Sequence, residues 1–235
     1  MSDQSQKSLV ESRRLAYLQA MHIDVWRPRN TDAHSEAPAA QEGAADRPLQ
    51  DWQSLRAAVA GCTRCELHKS RTQTVFGVGN EAADWMIIGE APGMEEDRRG
   101  EPFVGRAGKL LDQMLRAVGL DRSKVFIANV LKCRPPNNRD PSAGEAAACR
   151  PYLDRQIELV QPRLILAVGR IAAQRLLETD APVGRMRGQA HYYGERRIPL
   201  VVTYHPAYLL RSPLQKRKSW QDLCLAQNLI RDSSP

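Results

Sequence analysis

Aromatic side chains are scarce in this chain: three Phe, four Trp and six Tyr among 235 residues. A ring that stands in a polar loop therefore asks for a reason. No apolar run approaches the roughly 20 residues that a helix needs to cross a bilayer. The opening residues, MSDQSQKSLVESRR, lack the apolar stretch of a secretory signal, so a cytoplasmic location of bacterial type and no membrane contact are expected. Five cysteines in a reducing compartment are not expected to form disulfides, so clustered spacing among them points instead to metal ligation. No internal repeat is present, which excludes a solenoid.

Hydrophobic residues make up 42% of the chain, enough for one sizeable α/β core with an appendage. Charge is unevenly placed. Residues 1–50 hold 6 Lys/Arg against 7 Asp/Glu, whereas the remainder holds 28 against 20. A basic globular part suits a polyanionic partner such as nucleic acid, and equally a solubility surface.

Residues 1–27 read as an N-terminal helical extension, with Leu9, Leu15, Leu18, Met21 and Ile23 at roughly helical spacing. Residues 28–50 are rich in Pro, Ala and acids with almost no large apolar groups, and read as a flexible linker. From 51 to 235 the pattern alternates. Apolar runs at 84–89, 124–131, 163–169 and 198–204 read as strands buried on both faces. Helical patterns occupy 51–60, 108–118, a stretch from the capping box Ser142–Glu145 to about 160, 170–177 and 214–230. This order predicts a three-layer α/β/α sandwich around a central four-stranded, mainly parallel sheet. Residues 74–79 read as a short strand or turn, and 185–195 as a hairpin or extended excursion.

The loop after the first long strand, GEAPGMEEDRRGEPFVGRAG at 89–108, combines glycines, prolines, five carboxylates and one ring, Phe103. In open α/β sheets, ligands bind at such strand ends. Cys62 and Cys65 form a CxxC, with Cys133 and Cys149 further along; by count, four thiolates suit zinc or an iron–sulfur cluster equally. The wide gap between Cys133 and Cys149 favours the cluster. Lys132, Arg134 and Arg139 beside Cys133 suggest that the region faces phosphates. Cys224 reads as a core residue of the last helix.

The loop GEAPGMEEDRRGEPFVGRAGKLL, the strand and loop ANVLKCRPPNNRDP, the ending HPAYLLR and the four-cysteine spacing together resemble family 4 (type 4) uracil-DNA glycosylases, the iron–sulfur branch of that superfamily. The resemblance covers about residues 52–230 and assigns nothing to residues 1–50. It implies base excision repair: hydrolysis of the N-glycosidic bond of deoxyuridine in DNA by a monomer carrying a 4Fe-4S cluster on Cys62, Cys65, Cys133 and Cys149. It further implies that Asn129 reads the uracil edge, that Phe103 stacks on the flipped base and that His205 donates to O2. In the related family that reads GQDPYH, an Asp at the third motif position handles the attacking water, and here that position is Ala91. Glu90 is accordingly expected to position the water. Glu96 is expected to shape the pocket near uracil C5, or to support Glu90. Leu209 or Leu210 is the expected wedge, with Arg211, Lys216, Arg217 and Lys218 on phosphates. A relative that captures uracil-DNA covalently uses a histidine in the loop after the second strand, and KCRPPNNRDPSAGE contains none. The alternative in another class is a non-enzymatic iron–sulfur protein bound to DNA or a polymerase.

Overall fold

The computed structural model describes residues 51–232, so the extension 1–27 and linker 28–50 lie outside the described residues. Four strands run parallel: β2 (Trp85–Gly89), β3 (Val125–Asn129), β4 (Leu164–Val168) and β6 (Ile198–Thr203). Every residue of β2, β3 and β4 is buried, which is why each reads as an unbroken apolar run rather than an alternating one. Two short strands extend the expected four to six. β1 (Val78–Gly79) pairs antiparallel with β3, and β5 (Ala190–Tyr193) pairs antiparallel with β6, giving the order β1-β3-β2-β4-β6-β5.

Side chains of alternate strand residues go to opposite faces, and the two faces hold separate cores. On one face, Met86, Ile88, Phe126, Ala128, Ile165 and Ala167 pack against α1 (Trp52–Ala60), α4 (Ala143–Val160) and α5 (Arg170–Leu177). On the other, Ile87, Val125, Ile127, Leu166 and Val201 pack against α3 (Arg106–Ala117) and α8 (Lys216–Asp232). Each fully buried aliphatic side chain stabilises the fold by about 1.5–3 kcal/mol over its exposed state. The result is the three-layer sandwich.

Local signals start the helices where the sequence places them. Asp51 accepts from Ser54 N–H at 2.7 Å to cap α1, and Ser142 and Glu145 form the reciprocal box that opens α4. Glu145 also takes a two-pronged ion pair from Arg139, which holds its carboxyl at about 2. Three further helices fall in stretches expected to be irregular: α2 (Met94–Arg99), α6 (Val183–Met186) and α7 (Pro206–Arg211). The register puts the C-terminal ends of all four parallel strands on one edge, with Gly89 opposite Asn129 and Val168 opposite Thr203.

Candidate active site

Gly89 and Asn129 end adjacent strands and make the floor of this edge. Beyond them, Val130 N–H donates to Gly89 O at 2.9 Å and Leu131 N–H to Glu90 O at 3.0 Å, so the two chain exits stay laced together. A Cβ on Gly89 would lie 2.4 Å from Asn129 Oδ1 and 2.5 Å from Phe103 Cζ. Only glycine lets the amide and the ring approach this closely. Asn129 is 2% exposed, yet its Oδ1 has no hydrogen-bond partner. A buried acceptor left alone costs about 1–3 kcal/mol, and it marks the spot where a ligand donor would be stabilised.

Phe103 comes from the opposite wall, on a loop held from three sides. Its backbone is left-handed, with φ at 55°, a strained choice for a residue with a Cβ. Glu96 on α2 accepts at Oε1 from Val104 N–H (2.9 Å) and Gly105 N–H (3.0 Å). Arg122 donates to Pro102 O (2.6 Å) and Phe103 O (3.1 Å) while pairing with Asp112 at 3.1 Å. Gly108 completes the fit, since a Cβ there would overlap Phe103 O at 1.7 Å. Glu96 therefore braces the loop that carries Phe103. Nothing local in the sequence announces Arg122, which lies 19 residues from the ring it holds.

His205 follows β6 and caps α7. Its Nδ1 accepts from Ala207 N–H at 3.1 Å, so the neutral ring carries its proton on Nε2 as a donor. Burial pushes its pKa down to about 4; Arg211 pushes the same way and Glu96 opposes. The ring stacks beside Phe103 with centroids 5.6 Å apart. Gly169, at φ 96°, leaves room for it, for a Cβ there would sit 3.0 Å from His205 Cβ. Glu90 is half-buried, and its carboxyl is raised first by that burial and then by Asp140, with Arg170 opposing.

Glu90, Ala91, Glu96, Phe103, Asn129 and His205 line one cavity of about 810 Å³, and Arg211 reaches it too. That volume accommodates a nucleotide. Ala91 brings no titratable group, so Glu90 is the carboxylate that directly follows β2. The lining also includes residues that no motif singles out, among them Asp140 and Arg170, paired at 2.5 Å. They stand 30 residues apart, beyond the reach of any local pattern.

Two expectations are corrected. Leu209 is 1% exposed and belongs to the core beside α3 and α8, so it cannot act as a wedge; Leu210, next along α7, is 40% exposed. Of the three basic residues beside Cys133, Lys132 alone is corrected: it is 1% exposed and cannot face a phosphate. Arg139 is exposed and paired with Glu145, and Arg134 donates to Asn138 Oδ1 at 2.8 Å. Lys216, Arg217 and Lys218 are exposed at the start of α8, beside the outward Leu214. Neutralising all three should lower the slope of log K for DNA against log salt by up to about 3, since each phosphate contact contributes about 0.9. Titrations at several salt concentrations measure that slope, and an unchanged slope would remove these residues from the DNA face.

The four expected cysteines, separated by up to 87 positions, line one small cavity with Arg71, Lys132 and Tyr152. Cys62 and Cys65 follow α1, Cys133 follows β3, and Cys149 lies on α4. Arg71 donates to Cys133 Sγ at 3.0 Å. Burial pushes the Cys133 thiol up and that of Cys149 up to about 11, so thiolates here call for a compensating cation. Among the described residues, no three His, Cys, Asp or Glu side chains converge on a single metal-ion position. Cys224 stands apart on α8, half-buried.

The family model described as the uracil DNA glycosylase superfamily matches residues 76–226. The chain is 46% identical over 170 residues to a type-4 uracil-DNA glycosylase of Archaeoglobus fulgidus, covering 69% of this chain and 84% of that protein. Type-4 uracil-DNA glycosylases of Sulfurisphaera tokodaii (45% over 172 residues, 70% and 78%) and Pyrobaculum aerophilum (43% over 182 residues, 74% and 92%) are similar to it as well.

Proposed function

Because the chain belongs to the type-4 branch of the uracil-DNA glycosylase superfamily, we propose that its cavity receives a uracil flipped out of DNA and that the protein hydrolyses the bond holding the base to the sugar. The observation that carries this is the unpartnered Asn129 Oδ1. Uracil presents an N3–H donor beside an O4 acceptor, and one amide side chain can accept from the first and donate to the second. Thymine shares that edge but adds a methyl at C5, and cytosine reverses it.

The chemistry follows from the charge that develops. As the C1′–N1 bond breaks, its electron pair stays on the base and negative charge collects on O2, while the sugar becomes cationic. Neutral His205, with its proton on Nε2, donates to O2 without surrendering that proton. The Glu90 carboxylate faces the cationic sugar and orients the water whose oxygen bonds to C1′. The water proton is released, the base takes up a proton on leaving, and an abasic sugar remains. Phe103 stacks on the base throughout, worth about 1–3 kcal/mol. The test is incubation of purified protein with oligonucleotides carrying one uracil, thymine or cytosine, followed by alkali. Strand breaks at uracil alone support the reading; none at uracil overturns it.

A 4Fe-4S cluster on Cys62, Cys65, Cys133 and Cys149 belongs to the same reading. Four soft donors around one cavity fit it, for such a cluster would be held by four thiolates, one to each iron. When bound, the cluster supplies a cross-link among two loops and α4. Protein purified without oxygen is expected to be brown, with equal iron and acid-labile sulfide. Stoichiometric zinc instead would contradict the assignment.

A further inference from the structure

Lys132 is a long cationic side chain, yet it is among the most deeply buried residues of the protein. Its Nζ donates to Asn129 O at 2.8 Å and to Gln156 Oε1 at 2.6 Å. Gln156 is itself fully buried and donates through Nε2 to Phe76 O at 2.9 Å. The Lys132 backbone is equally engaged, with its carbonyl accepting from Val75 N–H at 2.8 Å and its N–H facing the Cys149 thiol. One residue therefore touches both sites: its backbone lies against the cysteine cavity, and its side chain folds back onto the residue at the floor of the base pocket.

We propose that Lys132 is a positioning residue for uracil recognition, fixing the strand end that carries Asn129 and tying it, through Gln156, to α4, the helix that carries Cys149. Burying an amine is costly unless it is well bonded, and a surface-type residue at 1% exposure is stable here only through these acceptors. The segment 129–132 closes into a loop bridged from the side chain of its last residue to the carbonyl of its first. Asn129 Oδ1 then meets the base edge from a fixed backbone. This role is separate from holding the fold together, because α4 and β3 pack through their apolar residues as well.

The inference rests on Asn129 reading uracil, and its test keeps the two apart. In Lys132→Met, inhibition by free uracil is expected to weaken, and the single-turnover excision rate to fall, each by about tenfold, the scale of one buried hydrogen bond whose partner is left unsatisfied. Affinity for undamaged DNA and the iron content per chain should stay at parental values. Gln156→Met removes the second anchor and should shift uracil inhibition in the same direction by a smaller factor; it decides the matter if Lys132→Met does not fold. Parental inhibition by uracil in a folded variant would overturn the role of Lys132. So would a rate loss that only tracks lost iron or lost DNA binding. A parent protein that leaves uracil-DNA intact would instead sink the reading of the cavity itself.

Discussion

Gly89→Ala is expected to eliminate nearly all uracil excision while leaving a folded protein. The new methyl would arrive 2.4 Å from Asn129 Oδ1 and 2.5 Å from Phe103 Cζ, distances that side-chain carbons do not sustain. Neither neighbour can yield cheaply. Asn129 sits at the end of a central strand, and Phe103 is fixed through Arg122, Glu96 and the close approach of Gly108. Relief must come by displacing the amide and the ring into the space the base would fill. Loss of the stacking contact and of one amide hydrogen bond together corresponds to a fall of about 100- to 10,000-fold in single-turnover rate. Circular dichroism should show the parental spectrum. A rate within threefold of the parent would place the base somewhere other than on this floor.

His205→Ala should cost about 100- to 1,000-fold in the same assay, the usual loss when one donor to a developing anion is removed. The pH dependence distinguishes a neutral donor from a charged one. Burial, and then Arg211, hold the ring near a pKa of about 4, so it is neutral throughout the physiological range. The parental kcat/KM should therefore show no inflection near 6.5. Its rising limb belongs to Glu90, raised above the usual carboxylate value by burial and by Asp140, and Glu90→Gln should abolish that limb. Stability changes in the matching direction. Between pH 6.5 and 4 the unfolded chain binds more protons at this ring than the folded one, so the folded state loses stability as pH falls through that window. The His205 contribution is fully present above 6.5 and fully lost below 4, amounting to about 3 kcal/mol. Thermal midpoints of His205→Ala should fall less steeply with acid than those of the parent. An activity inflection at 6.5 that vanishes with this substitution would show the ring acting as a cation.

The parallel strands were legible because strands covered on both faces become continuous apolar runs, as Trp85–Gly89 and Leu164–Val168 illustrate. The edge strands were legible only in outline: 74–79 reads as a short strand or turn and 185–195 as a hairpin or extended excursion, and Val78–Gly79 and Ala190–Tyr193 fall within them. Their exact bounds were not, because one strand has only two residues and the other carries no apolar alternation. The helix Met94–Arg99 hid within MEEDRR, which has no apolar stripe, although its acids in the first turn and arginines in the last suit the helix dipole. Within the cavity, the residues carried by motifs came together as expected. Those that hold them did not show, because Arg122 grips Phe103 and Arg170 grips Asp140 across long separations. Lys132 was misread for a simpler reason: lysine belongs at the surface by type, and only its fold-dependent acceptors explain its burial. Leu209 and Leu210 are neighbours on a six-residue helix, too short for periodicity to say which one faces the core.

The proposed reading of the cavity stands or falls with Asn129 as the residue that meets the uracil edge. Single-turnover release of uracil from an oligonucleotide with one deoxyuridine, compared between the parent and Asn129→Leu, decides it. Leucine keeps the volume and removes both hydrogen bonds, so a rate loss of about 100-fold or more is expected with an unchanged or higher thermal midpoint, since the buried orphan acceptor is gone. Parental rates in Asn129→Leu would contradict it.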